Sequence, residues 1–211
     1  MKRKIELRKI KERENLRNPN HPEKGRNIRV EPIRRIEDVN AIRELLSDKP
    51  RDLLLFTIGI NNGLRVGDLL KLKAGEVRSL KEGGHINIRE GKTQKNNVLM
   101  VNKSVYKALR NYFQKVDLKD DDFLFLSRKG NSPLITETVN AMVKRWTKAI
   151  NLKGNYGAHT LRKTFGFIQR TKYGVSWEIL AERFNHSTPA VTRRYLGITK
   201  EEVSKILLNE I

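Results

Sequence analysis

The sequence predicts an α+β protein, mainly helical, with a small antiparallel sheet of three strands near its middle. Two observations carry this expectation. From residue 31 onward, apolar residues recur at helical spacing over most of the chain. Between residues 85 and 101 the period drops to two, the spacing of a half-buried strand. No internal repeat and no low-complexity tract argues for a solenoid or a fibre.

The elements follow in order. Residues 1–30 are basic and poor in large apolar residues, and Pro19, Pro22 and Gly25 interrupt any regular structure, so they form a flexible basic arm or linker. The globular part runs from 31 to 211. Ile36 to Leu46 has helical spacing and ends before Pro50. Leu53 to Ile60 is nearly all apolar and makes a buried helix, stopped by Asn61-Asn62-Gly63 with the glycine in a left-handed cap. Arg65 to Lys71 is a short helix with Val66, Leu69 and Leu70 inward. His85 to Arg89 alternates, as does Val98 to Val101, and Glu90 to Asn97 joins them as a hairpin. Ser104 is placed to cap a helix through Lys115. Phe123 to Leu126 is the third strand. Val139, Met142, Val143, Trp146 and Ile150 then share one face of a helix from Thr138 to Ile150. Helices at His159–Lys172, Trp177–Phe184, Pro189–Leu196 and Glu201–Leu208 complete the chain, the last opened by a Thr199–Glu202 capping box.

Composition narrows the partner. Lys plus Arg number 44 against 24 Asp plus Glu, a formal charge of +20. That excess exceeds what solubility needs and points to a polyanion, with nucleic acid as the default. Cysteine is absent, which excludes a disulfide scaffold, a thiolate metal site and a thiol nucleophile. No apolar run reaches the roughly 18 residues of a membrane span. The charged start Met1-Lys2-Arg3-Lys4 lacks the apolar stretch of a signal peptide, so the expected location is the cytoplasm, reaching DNA directly in a prokaryote.

The candidate chemistry is concentrated in a few polar residues: Arg65 behind Gly63-Leu64, Lys92 beside Gly91 at the hairpin tip, His159 and Arg162 one helical turn apart, His186, and Tyr195 nine residues later. Singly, each has a plain reading: a surface arginine, a solvated lysine, a structural His–Arg pair, a capping histidine, a packed tyrosine. Together they have the chemistry to bind a phosphodiester, attack it and protonate its leaving group. Planar guanidinium forks match the two non-bridging oxygens, and preorganised donors gain strength as charge develops. A cationic pocket would favour the phenolate of Tyr195, and His159 beside arginines should resist protonation and serve as a base. No carboxylate cluster suited to a metal is visible, so a side chain must do the attacking, with no cofactor.

The segments Gly63-Leu64-Arg65-Val66-Gly67-Asp68-Leu69-Leu70, Gly91-Lys92, His159-Thr160-Leu161-Arg162, Asn185-His186-Ser187-Thr188-Pro189 and Tyr195-Leu196 resemble, in order and spacing, the successive boxes of the tyrosine recombinase or phage integrase family. The resemblance covers about residues 31–211. It implies the family's catalytic-domain helical bundle and site-specific DNA recombination or integration without metal or ATP. Tyr195 would be the nucleophile, giving a 3′-phosphotyrosyl bond. Arg65 and Arg162 would hold the non-bridging oxygens, His159 accept the phenolic proton, Lys92 protonate the 5′ oxygen and His186 donate to the phosphate. Asp68 would steady the site, and Lys95 is a rival to Lys92 in the same turn. Double-stranded DNA and a homotetramer on paired sites are the implied partners, with a nucleoid location and a mobile element as the setting. The sequence departs from the pattern at Phe184-Asn185, where Leu-Gly is usual, and at Gly166, where alanine is usual. The family's amino-terminal core-binding domain has no room in residues 1–30, which implies a minimal recombinase or an excised catalytic domain. The last segment would pack on its own core or dock on a neighbouring protomer. Type IB topoisomerase-like relaxation and non-catalytic DNA binding on the same fold are the alternatives.

Overall fold

The computed structural model describes residues 29–127, 130, 132–198 and 208. The expected arm up to residue 28, the Thr199–Glu202 capping box and the final helix short of Leu208 lie outside them.

Helix α1 (Ile36–Leu45) buries Val39 and Ile42. Helix α2 (Pro50–Asn62) opens on a proline, whose missing N–H would have had no partner in a first turn anyway. It is buried along most of its length and stops where Gly63 takes φ +62, the left-handed conformation anticipated for its cap. The chain turns there, and Arg65 becomes the extended residue that opens α3 (Val66–Leu69). A further short helix, α4 (Ala74–Arg78), was not legible, since five residues are too few for a period to show.

Strands β1 (His85–Arg89) and β2 (Asn96–Met100) pair antiparallel, with His85 opposite Met100 and Arg89 opposite Asn96. The sheet has these two strands and not the expected three. Phe123 to Leu126 forms only isolated bridges, Lys73 with Phe123 and Leu126 with Pro133. Leu124 donates its N–H to the Leu72 carbonyl at 2.8 Å, so the segment lies beside loop backbone and not beside β2. Leu124 and Phe125 are apolar because they enter the core, not because they belong to the sheet.

Helix α5 (Lys103–Lys115) is capped by Asn102, whose side chain accepts from the Val105 N–H at 3.0 Å. Ser104 therefore lies inside the helix and is not its cap. Helices α6 (Thr136–Ala149), α7 (Ala158–Tyr173), α8 (Trp177–Arg183) and α9 (Pro189–Leu196) fall within two residues of their expected limits. None of the described helices is long and apolar enough to cross a membrane.

Two apolar clusters result. The larger gathers α1 to α6 and the start of α7. The smaller holds Phe167, Trp177, Leu180, Phe184, Leu196 and Ile198, with Tyr195 against its edge. Helix α7 runs through both. It approaches α2 closely at Gly59, where a Cβ would lie 2.8 Å from Leu161 Cδ1. This contact brings the residue after Leu161, Arg162, up to the Gly63 turn.

Candidate active site

Arg65 and Arg162 arrive from separate elements and meet over one carboxylate. Arg65 Nη1 is ion-paired with Oε2 of Glu90, which is fully buried. Arg162 Nη1 lies 3.9 Å from Oε1 of the same group. Arg162 is 2 % exposed, and its guanidinium also donates to the Gly63 carbonyl at 2.6 Å and the Phe184 carbonyl at 2.7 Å. It lies over the Phe184 ring, 4.6 Å from the centroid. Desolvation lowers its pKa to about 10, so it stays a cation at neutral pH. His159 and Arg162 share a helix face by spacing, yet His159 is exposed while Arg162 is sunk between α2 and α8.

Tyr195 stands on the last turn of α9. Its ring makes edge contacts with Phe184 and His186, with centroids 5.8 and 5.3 Å away, and Lys163 Nζ lies 4.9 Å above it. The hydroxyl is buried without a hydrogen-bond partner. Burial pushes its pKa up to about 12, although Arg162 and Arg65 pull the other way. The expectation that the cationic surroundings alone would favour the phenolate is thus reversed in the free protein: desolvation outweighs both guanidinia.

His186 is fixed by Nδ1 against Thr192 Oγ1 at 2.8 Å. It does not cap α9; Thr188 does, accepting from the Val191 N–H at 3.3 Å. Desolvation, then Arg162 and Arg65, lower the His186 pKa to about 4. Partial desolvation, then Arg162, Lys163, Arg65 and Lys92, also lower that of His159. Both imidazoles are therefore neutral at pH 7. Lys92 stands exposed on the turn between β1 and β2, as does Lys95. That turn is tied down by Asp68, which accepts from the Gly91 N–H at 2.9 Å.

The structure thus gathers Arg65, His186 and Tyr195, all half-buried, around the buried Arg162, and leaves His159 and Lys92 exposed. Among the described residues the buried side-chain polar atoms without a hydrogen-bond partner are Asp68 Oδ2, Tyr195 Oη and Arg65 Nη1, the last of which is engaged by the Glu90 ion pair. Tyr195 Oη lies within this group and Asp68 Oδ2 beside the hairpin turn, and orphaned polar atoms are uncommon enough elsewhere to mark a place built for another molecule. A cavity of about 330 Å³ opens beside it, lined by Arg29, Val30, His159, Lys163, Val191, Arg194 and Tyr195. Three permanent cations and no acid face that space.

Sequence reasoning missed Glu90, Asn97, Lys163 and Arg183. A signal for the first two was present. Glu90 continues the inward phase of Ile86 and Ile88, and Asn97 precedes Leu99 and Val101 in the same way. A polar residue in an apolar phase marks a buried polar contact. Lys163 and Arg183 lie on helices with no such mismatch.

Comparison with known proteins agrees with this architecture. The profile of the phage integrase family matches residues 27–202. A probable integrase/recombinase from Bacillus subtilis, YoeC, is 34% identical over 175 residues, which cover 82% of this chain and 92% of that protein. The tyrosine recombinase XerA of Pyrococcus furiosus is 25% identical over 92% of this chain, but the match spans only 65% of the relative. Among solved structures, the XerA recombinase superposes with a TM-score of 0.67 at 21% identity, covering 95% of this chain and 71% of that one. XerH bound to palindromic difH substrate, in a post-cleavage complex, gives 0.68 at 21% identity, covering 89% and 55%.

Proposed function

Since the chain belongs to the phage integrase family, we propose that it cuts and rejoins double-stranded DNA at specific sites through a covalent bond to Tyr195. In the cleavage step the Tyr195 oxygen bonds to phosphorus and the bond to the 5′ oxygen breaks. The phenolic proton passes to His159, and Lys92 gives a proton to the departing 5′ oxygen. The reverse sequence reseals the strand, and because one phosphoester replaces another, no ATP enters. A phenol held at about 12 is protonated at neutral pH. The proton must therefore leave during attack, which is work for a base kept neutral, as His159 is. Arg65, Arg162 and His186 supply the donors that meet the growing charge on phosphorus. Asp68 acts through the hairpin, by holding Gly91 next to Lys92.

The observation that carries this reading is the phenol of Tyr195 lying within electrostatic reach of two guanidinia at the wall of a cationic cavity. Recombination requires two duplexes, so the working assembly is several copies, a tetramer, on paired sites. The relatives named above come from a bacterium and an archaeon. The corresponding setting is a mobile element in a prokaryotic cytoplasm, with the protein on the nucleoid. The test is a nicked suicide duplex carrying the cognate site, from which a short fragment diffuses away after cleavage. The expected result is a covalent protein–DNA adduct that disappears in Tyr195→Phe while duplex binding persists. Binding without any adduct would reduce the protein to a DNA-binding module, and relaxation of supercoils by single copies without paired sites would make it a topoisomerase.

A further inference from the structure

We propose that Glu90 is a positioning residue for strand cleavage: its buried carboxylate is the internal counterion that aims Arg65 and Arg162, and it joins them to the segment bearing His186 and Tyr195. The inference rests on the function proposed above and assigns a role to a residue outside its reacting groups.

Glu90 follows directly on β1 and has no solvent exposure. A carboxylate stays ionised in such a place only if its oxygens are fully engaged. Here they are. Oε2 meets Arg65 and accepts from Thr93 Oγ1 at 2.5 Å. Oε1 accepts from Asn97 Nδ2 at 2.9 Å and faces Arg162 at 3.9 Å. The polar chain continues beyond Asn97. Arg183 Nη1 donates to Asn97 Oδ1 at 2.6 Å, Nη2 to the Val98 carbonyl at 2.9 Å, and Nε to the Asn62 carbonyl at 3.0 Å. Arg183 is the last residue of α8, and the next residue, Phe184, receives Arg162 and touches His186 and Tyr195. One connected set of polar contacts thus runs from Arg65, through Glu90 and Asn97, to the start of the nucleophile-bearing segment.

Two guanidinia and one carboxylate leave a net charge of +1, which matches the single negative charge of a phosphodiester. Without the carboxylate the two cations would repel each other and Arg65 would lose its buried anchor. Ground-state attraction for DNA would then rise or hold, while the geometry needed for attack would loosen. Misplacement of about 1 Å costs on the order of 10²-fold in rate.

The experiment compares wild type, Glu90→Gln, Glu90→Asp and Thr93→Val. Each is assayed for melting temperature, duplex affinity and single-turnover adduct formation on the suicide duplex. For Glu90→Gln the expected result is cleavage slower by about 10²-fold with duplex affinity unchanged or tightened. Glu90→Asp, which keeps the charge, should recover part of the rate. Thr93→Val removes one contact from a surface turn and tests the same carboxylate if Glu90→Gln does not fold; it should slow cleavage with affinity held. In the free protein, the guanidinium resonances of Arg65 and Arg162 should be protected from solvent exchange in the wild type and lose that protection in Glu90→Gln. Wild-type cleavage in Glu90→Gln or Thr93→Val, or a rate loss that only tracks lost melting temperature and binding, overturns the proposal. So does unaltered arginine protection. If the wild type itself forms no adduct, the functional reading fails while the resonance measurement still decides the role of Glu90.

Discussion

At the scale of single residues, the free protein holds the Tyr195 phenol and both imidazoles neutral, the states from which the proposed attack would start. Tyr195, its hydroxyl buried, is neutral, and the half-buried His186 and the more open His159 are kept neutral by desolvation and neighbouring cations. The histidines carry a consequence for stability. His186 titrates near 4 when folded and near 6.5 in an unfolded chain. Between those values the unfolded chain binds more protons, so stability rises with pH across the window. It is complete above about 6.5 and is lost as pH falls toward 4. His159, shifted in the same direction, adds to this window; Glu90, lowered from 4.5, adds a loss that begins only as pH falls below 4.5. Melting followed from pH 7 to pH 4 should show a falling midpoint, with a shallower fall in His186→Gln. A flat wild-type profile between pH 7 and 4.5 would show that the imidazole is not held neutral.

At the scale of elements, Gly166 and Phe184, the positions where the resemblance leads one to expect alanine and leucine, lie against each other. Gly166 on α7 sits under Phe184, where a Cβ would come within 2.7 Å of the ring's Cζ and 3.0 Å of Leu196 Cδ1. A larger ring at 184 has taken the space that a methyl at 166 would fill. Asn185, which stands where glycine is usual, adopts φ +51, and asparagine is among the few side chains that tolerate that region. Gly166→Ala should therefore destabilise by about 1–3 kcal/mol through overpacking. Combining it with Phe184→Leu should give less than the sum of the two losses, with a coupling of about 1 kcal/mol in a double-mutant cycle. Simple additivity would disprove the compensation. Gly63→Ala should be more harmful still. Its φ is +62, and the new Cβ would fall 2.3 Å from Phe165 Cδ1. A loss of at least about 2 kcal/mol is expected, lowering the thermal midpoint by roughly 4–8 °C. Helix α2, its glycine stop and the hairpin were all legible in the sequence, because each rests on local periodicity and turn chemistry. The false third strand and the true cap at Asn102 were not. The first owes its apolarity to tertiary burial, and the second was a choice between neighbouring polar residues that local chemistry scarcely separates.

At the scale of the whole molecule, the candidate site joins residues more than a hundred positions apart, and its members were singled out by residue type, order and the family resemblance together. Their supporting contacts were less visible. Arg162 reads in the sequence as a phosphate ligand, yet much of its guanidinium is spent on the Gly63 and Phe184 carbonyls, holding α7 to two turns. Such a dual task depends on the packing of α2 against α7, which no short window contains. The large positive charge predicts steep salt dependence for duplex binding, with a log–log slope of about −0.9 per phosphate neutralised. Affinity measured across a salt series would check it, and a flat response would exclude extensive backbone contact. A last consequence concerns where the molecule is soft. The apolar core is divided unevenly, with the smaller share of six buried side chains under α8 and α9. Local opening costs least where the least apolar surface is buried. Amides of α9 should exchange with deuterated solvent sooner than those of α2 and α5, so the part of the protein that carries Tyr195 is also the part that can yield without melting the remainder.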